Sequence, residues 1–254
     1  MCPKKYLAIL LIFFFSFSSL FAQDRNNEVK VFTVGVEDYE NWLPYSQFKN
    51  GKYEGLGRDI LDLFAQKKGY VFNYEVFPLK RRDRMFVNQQ LDLSFPDNPG
   101  WVKDLKQGLE IKYAPVLKFI DGVMVLPENL GKGIEDLKTL GIPLGFTPYQ
   151  YLKPIQEGKI QQFTYPNYDS LYHKVELKHI DGAYMNIDIA KYYMNKNLNR
   201  PLSLSFDPSL PHAKGYWHLA SIKHPELIKE FTLFIQENYA EVDELKKKYG
   251  FKPD

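Results

Sequence analysis

The sequence predicts an α/β protein of two lobes, the second inserted into the first, and three observations lead there. Strand-like and helix-like patterns alternate from Val29 to Phe95, a second β-α-β set lies inside the chain between Ile142 and Asn195, and the chain returns through a strand to two terminal helices. Alternating β and α patterns are the mark of a largely parallel sheet covered by helices.

The elements follow in order. Val29–Val36 is a β-branched run ending near a glycine and reads as a buried strand. A polar, aromatic loop from Glu37 to Lys52 follows, and Gly55–Asp59 opens a helix with Ile60, Leu61, Leu63 and Phe64 at helical spacing and Gly69 at its end. Tyr70–Phe77 alternates as a strand closed by Pro78, Arg81–Gln90 reads as a polar helix, and Leu91–Phe95 as a short strand before a Pro- and Gly-rich loop. Ile111–Val125 is a long extended stretch interrupted at Pro115 and at Asp121-Gly122. Beyond it, Ile134–Leu137 begins a short helix, Ile142–Phe146 is a strand, and Thr147-Pro148 starts a helix with proline in the first turn. Asp169–His179 is a helix, Ile180–Met185 a strand, Ile187–Asn195 a helix, Tyr216–Ser221 a strand, and Pro225–Tyr249 two helices. The expected division is a first lobe of residues 28–117 plus 216–254 and a second lobe of residues 118–215. The crossovers are expected near Val116–Gly122 and Leu210–Tyr216. Two lobes joined by two extended segments suggest a cleft that opens and closes about a hinge.

The N-terminus sets the compartment. Lys4 and Lys5 precede an apolar run, Tyr6–Leu20, and Leu20-Phe21-Ala22 stands before a polar stretch starting at Gln23. This is the anatomy of a secretory signal cleaved near Ala22, so residues 1–22 are expected to be removed. A permanent anchor would need roughly 20 apolar residues, more than this run supplies. A lipoprotein would need a Cys where Gln23 stands, so the product is expected free in the periplasm. The single Cys, Cys2, would leave with the signal, and the mature chain would hold together by core burial alone.

Removing Lys4 and Lys5 brings the basic residues level with the 31 acidic ones, and the charges are mixed rather than blocked. That weighs against nucleic acid, which demands a basic footprint. The five His residues are scattered, none at i, i+4 spacing, and neither a nucleophile elbow, a zinc-protease helix nor a phosphate loop is present. No metal, no cofactor and no catalytic residue is expected. Aromatic residues make up 16% of the chain, with 18 Tyr and 19 Phe. Most belong in a core, but Tyr on loops also offers flat, amphipathic ligand contacts.

Several short motifs in order carry a family resemblance. Val34-Gly35-Val36 is followed by Trp42-Leu43-Pro44-Tyr45, then by Gly51-Lys52-Tyr53-Glu54-Gly55-Leu56-Gly57-Arg58-Asp59-Ile60. Arg81 through Asn88 to Asp92, Tyr113-Ala114-Pro115, Ile134–Leu137, Ile180-Asp181-Gly182-Ala183 and Leu245–Phe251 complete the series. In this order they resemble the extracellular solute-binding proteins of family 3, relatives of the polar amino-acid receptors of ABC transporters, over nearly the whole mature chain. The resemblance implies a two-lobed periplasmic-binding-protein-like fold of type II with two hinge crossovers. It implies a monomer that takes a small-molecule ligand between its lobes and works with an inner-membrane ABC permease or, as a stand-alone sensor, with a membrane receptor. Periplasmic dehydratases of the cyclohexadienyl type share the scaffold, and Asp97 or Asp188 would serve as the acid such an enzyme needs.

Ligands of α/β folds favour the carboxyl ends of parallel strands, and the candidate contacts follow from that placement. Trp42 and Tyr45 lie on the loop after the first strand, and Arg81 offers a planar fork to an anionic group. Ser94, Asp97 and Asn98 fall around the end of the third strand. Thr147, Tyr149 and Gln150 fall at the expected helix start in the second lobe, where free N–H groups favour polar or anionic groups. Asn186 and Asp188 follow the strand Ile180–Met185, near the place where the amino-acid receptors hold an α-ammonium. Those receptors also carry an Arg between the third strand and the motif matched by Tyr113-Ala114-Pro115, whereas the basic residues here are Lys103, Lys106 and Lys112. With no Arg there and Asn186 at the acidic position, the ligand is expected not to be a standard α-amino acid held in the usual way.

Overall fold

The structure, a computed structural model, describes residues 29–40, 42–196 and 203–251. The expected signal, residues 1–22, lies outside the described residues, as do the last three residues assigned to the first lobe.

The first lobe begins with β1 (Val31–Glu37), the hairpin β2 (Gln47–Lys49) and β3 (Lys52–Glu54), α1 (Leu56–Lys68), β4 (Val71–Phe77), α2 (Leu79–Val87), β5 (Leu93–Asp97) and the short α3 (Lys103–Lys106). Gly69 ends α1 in the left-handed conformation at φ 68°, where its N–H meets the Gln66 carbonyl; a side chain there would be strained. The helix buries Leu56, Ile60, Leu61 and Phe64, the stripe its 3.6 period predicts. α2 turns Arg82 and Phe86, four apart, inward.

β6 (Lys112–Val125) then runs out of this lobe, and the second lobe holds β7 (Thr139–Pro143), α4 (Leu152–Gln156), β8 (Gln161–Tyr165), α5 (Tyr168–Glu176), β9 (Gly182–Asn186), α6 (Ile187–Lys196) and β10 (Ser205–Phe206). The chain comes back on β11 (Ala213–Ser221) and finishes with α7 (Pro225–Glu237) and α8 (Tyr239–Lys248).

The sheet order is β4-β1-β5-β11-β6-β9-β7-β8, with β10 beside β6. It contains two parallel trios of the same pattern, β4-β1-β5 and β8-β7-β9, in which the first strand to enter the lobe lies in the middle. Between them stands an antiparallel pair, β6 and β11, matched from Ser221↔Lys112 to Ala213↔Asp121. β11 continues the ladder into β5 and β6 continues it into β9. The molecule is therefore a two-lobed α/β fold whose lobes are linked by two crossing strands.

Several elements differ from the sequence expectation, and three show why in their own residues. β6 is unbroken: Pro115 sits where the pairing with β11 slips between Trp217 and His218, and a strand accommodates a residue without an N–H at such a bulge. β5 extends through Pro96 to Asp97, so Asp97 is a buried strand residue rather than a loop residue. Thr147-Pro148 opens no long helix; a 3-10 turn at Tyr149–Tyr151 leads into α4, five residues long. Pro148 only precedes that turn, and Pro154 and Gly158 keep α4 short.

One hydrophobic core runs from Phe32, Ile60, Phe64 and Phe231 in the first lobe through Tyr45, Leu117 and Trp217 at the seam to Met185, Ile189 and Tyr172 in the second. A further cluster, with Val123, Leu140, Tyr151 and Tyr184, belongs to the second lobe. Among the described residues no helix is long and apolar enough to cross a membrane, and no group of three or more His, Cys, Asp or Glu is placed to hold a metal ion.

Candidate functional site

The seam between the lobes is lined by aromatic rings. Trp42, half-buried on the loop after β1, stacks on Tyr39 with centroids 4.9 Å apart and planes 17° from parallel. Its ring also lies 5.6 Å from Trp217 on β11 and 6.1 Å from Phe146, which follows β7 in the opposite lobe. Phe119 on β6 comes within 6.0 Å of Trp217, and Phe146 leads on to Tyr184 on β9 at 6.2 Å. Rings in these offset and tilted arrangements gain something beyond the area they bury. The loop is held in place by its own backbone: the Tyr45 and Ser46 N–H groups donate to the Trp42 carbonyl, and Leu56 N–H to that of Pro44.

On the first-lobe side the carboxyl ends of β1 and β5 carry Glu37 and Asp97, both buried. Arg82, 1% exposed, reaches between them from α2. Its Nη1 donates to Glu37 Oε1 at 3.1 Å and to the Pro96 carbonyl at 2.7 Å, and its Nε and Nη2 both donate to Asp83 Oδ1. Burial pushes Glu37 up to about 7 against the pull of Arg82, with Asp83 and Asp97 adding to the rise. Asp97 is paired with the Lys106 ammonium, which donates also to the Asn98 carbonyl at 3.0 Å. His218 lies across from Asp97 on β11, and its burial lowers the pKa of the ring. Among the described residues, Ser94 Oγ and His218 Nδ1 are buried without a hydrogen-bond partner.

On the second-lobe side β9 ends in Asn186, paired across the ladder with Asp121 on β6. Asn186 Oδ1 accepts from the N–H groups of Asp188 and Ile189 and so caps α6, while its Nδ2 donates to Asp121 Oδ1 at 3.2 Å. Burial, helped by the charge of Asp188, raises Asp121 to about 6. The Tyr45 hydroxyl donates to Asp188 Oδ2 at 2.6 Å and lies 3.0 Å from the Lys118 carbonyl on β6. Gln150 Oε1 accepts from the Tyr184 hydroxyl at 2.7 Å.

Most of the residues singled out in the sequence therefore meet at or near this seam. Trp42 lies in the aromatic wall, and Asp97 and Asn98 border it around the end of β5. Asn186 and Asp188 lie opposite at the start of α6, and Gln150 stands beside Tyr184. Tyr45 is fully buried and spans the lobes through its hydroxyl. Ser94 is fully buried within β5. Arg81 lies apart, exposed on α2 over the Phe77 ring, and the inward arginine is Arg82. Thr147 and Tyr149 are exposed, Tyr149 by 73%. Sequence patterns alone passed over Glu37, Tyr39, Arg82, Asp121, Phe146 and Trp217. Two of them had a signal: Arg82 shares its helical face with Phe86, and Asp121 shares its strand face with Phe119.

Neither a protein-family model nor a curated protein sequence matches the chain. Solved structures do match in shape. The second substrate-binding domain of GlnP from Lactococcus lactis, in an open conformation, is 18% identical, with a TM-score of 0.64 over 87% of this chain and 96% of that one. The arginine-, lysine-, histidine-binding protein ArtJ from Geobacillus stearothermophilus is 20% identical, with a TM-score of 0.61 over 89% and 97%. AncCDT-1, an ancestral amino-acid-binding protein and precursor of cyclohexadienyl dehydratase, is 19% identical, with a TM-score of 0.60 over 86% and 94%. At these identities the likeness is one of fold.

Proposed function

We propose that this chain is a solute-binding protein that closes its two lobes on a small polar molecule and acts in the periplasm after a signal is removed near Ala22. The observation that carries the reading is the seam itself. Aromatic rings from both lobes, Trp42 and Trp217 on one side and Phe146 on the other, meet where the parallel strands of each trio end, beside buried polar groups. Crevices at the carboxyl ends of parallel strands are where α/β folds take ligands. The lobes divide at residues 117/118 and 215/216, within the paired stretch of β6 and β11, so a small change of twist in two strands suffices to open the seam. The protein is a binder, not an enzyme, and a monomer that hands its cargo to an ABC-type importer.

ArtJ and AncCDT-1, which it resembles in shape, are amino-acid-binding proteins, whereas the one buried guanidinium among the described residues, that of Arg82, is held closed here. Every nitrogen of Arg82 already donates to Glu37, Asp83 or the Pro96 carbonyl, which leaves no planar fork directed at a ligand carboxylate. A standard α-amino acid gripped through its carboxylate is therefore not the cargo.

The test is native mass spectrometry of the secreted, mature protein for a co-purified molecule, with small-angle scattering before and after that molecule is removed and restored. A retained small molecule whose return lowers the radius of gyration is the expected result. No retained molecule and no shape change with any compound of a broad metabolite panel would remove the reading.

A further inference from the structure

The seam carries a charge imbalance that says what kind of molecule it takes. By the alternation of strand side chains, Phe119 and Asp121 share one face of β6, and Tyr184 and Asn186 share the adjoining face of β9, where Asp121 stands opposite Asn186 and Val123 opposite Tyr184. Phe119 continues that surface to Trp217, and Tyr184 continues it to Phe146.

Asp121 is thus a carboxylate set among rings. Its hydrogen-bond partner is an amide, Asn186 Nδ2 at 3.2 Å, and its charged neighbour is a second carboxylate, Asp188. Asp188 in turn accepts from a neutral hydroxyl, that of Tyr45. Among the described residues neither carboxylate has a cationic side chain as its partner. The contrast with the first-lobe wall is direct, since Glu37 and Asp83 share Arg82, and Asp97 has Lys106. A half-buried carboxylate without a counter-charge is costly unless a cation joins it, and aromatic faces around it attract the same kind of partner.

We infer that the ligand is a small organic cation whose charged group is received by Asp121 on the crossover strand, with Trp42, Trp217 and Phe146 as its aromatic walls. This rests on the proposed solute-binding role and adds the ligand class and the residue that sets it. Asn186 lacks the carboxylate that the resemblance leads one to expect at the end of β9, and Asp121 supplies one from the facing strand.

Choline and 3,3-dimethyl-1-butanol test this directly, because they share a shape and differ by one charge. Titration calorimetry on the mature chain is expected to show choline binding about ten-fold or more tighter than its neutral isostere, the range of one charged hydrogen bond or cation contact. Agmatine, a guanidinium compound, serves as a second cation, and succinate as the anionic control. Asp121→Asn, which keeps the side chain's shape, is expected to remove the preference for the cations over the isostere. The comparison of isosteres on the unsubstituted chain stands even if that variant fails to fold. Equal affinity for choline, agmatine and the isostere would overturn the inference, as would binding of succinate alone or a cation preference that survives in a folded Asp121→Asn protein. If neutral or anionic compounds bind in a manner that Trp42→Ala abolishes, the ligand class fails and the solute-binding role survives. If no compound of any charge binds or closes the lobes, both fail.

Discussion

The hydroxyl of Tyr45, a fully buried residue of the first lobe, donates at 2.6 Å to the carboxylate of Asp188 at the start of a helix in the second. The same hydroxyl lies 3.0 Å from the Lys118 carbonyl, on one of the two strands that connect the lobes. The Tyr45 ring is fixed against Trp217 at 4.2 Å and Phe251 at 5.2 Å, so the hydroxyl is aimed rather than free to search. This contact is a latch between lobes placed beside the crossover. Tyr45→Phe keeps the ring packing and removes the donor. A hydrogen bond to a charged group is worth about 1.5–3 kcal/mol when buried; Asp188 keeps access to water, so about 1 kcal/mol is expected. The variant should fold, show a larger radius of gyration without ligand, and bind its ligand several-fold more weakly. Scattering curves that superimpose on the unsubstituted protein would show that the contact does not set the equilibrium between open and closed forms.

Arg82 and Arg81 give the sharpest contrast between neighbours. Arg82 is 1% exposed and neutralises Glu37 and Asp83. Removing one partner of a buried ion pair costs about 3–5 kcal/mol, because the other charge is left without compensation. Arg82→Met should therefore lose about that much in urea unfolding. Arg81→Ala loses only an exposed guanidinium over Phe77 and should stay within about 1 kcal/mol of the unsubstituted protein. Equal effects of the two substitutions would contradict the burial of Arg82.

How much of this was legible in the sequence depends on the scale. Alternation of periods two and 3.6 was enough for the two lobes, because strands and helices with one buried face must repeat their apolar residues at those spacings. It also read Ile111–Val125 as one long extended stretch, and β6 fills it from Lys112 to Val125. The candidate site was legible mainly at loops, where Trp42, Asn98 and Asn186 stand at strand ends. What the sequence withheld was pairing. Asp121 reads as a break in a strand until β9 is seen to set Asn186 opposite it. Among three arginines on α2, the helical face shared with Phe86 marks Arg82 as the inward one, but its partner Glu37, forty-five residues earlier, is visible only in the fold. The strand expected at Ile142–Phe146 was also displaced: β7 starts three residues earlier, where Thr139 and Leu140 pair with β8, and Leu144 lies beyond its end, 73% exposed.

Glu37 predicts a pH dependence of stability. Its carboxyl is raised to about 7 from 4.5, chiefly by burial, with Arg82 lowering it and Asp83 and Asp97 raising it. A folded-state pKa above the unfolded value means that the native state binds more protons between the two, so stability falls as pH rises. The loss begins near pH 4.5 and is complete above about pH 7. Asp121, raised from 3.8 to about 6, adds to it with the same sign over an overlapping window. Unfolding free energies measured in urea between pH 5 and 8 should therefore decline with pH, and Glu37→Gln should flatten part of that slope and leave the share due to Asp121. An identical slope in the variant would mean that Glu37 titrates in the folded state as it does in the unfolded chain.

Trp42 and Phe146 face each other across the seam at 6.1 Å, one from each lobe, and this makes them separable from the core. Trp42 is only half-buried and gains its contacts from Tyr39, Trp217 and Phe146, so Trp42→Ala removes a wall of the seam without opening a cavity deep in either lobe. Phe146 is likewise half-buried, on the turn after β7. If both rings contact the cargo, each alanine variant should weaken binding by about ten-fold or more, the range of an aromatic anchor in a desolvated pocket, with the midpoint of thermal unfolding nearly unchanged. The double variant distinguishes a shared role from two separate ones. Rings that clamp the same molecule from opposite lobes should lose less together than the sum of their separate losses, because either substitution alone already prevents the clamp from forming. Strict additivity would place the two residues in independent contacts. Full affinity in both single variants would move the binding site away from the aromatic seam altogether.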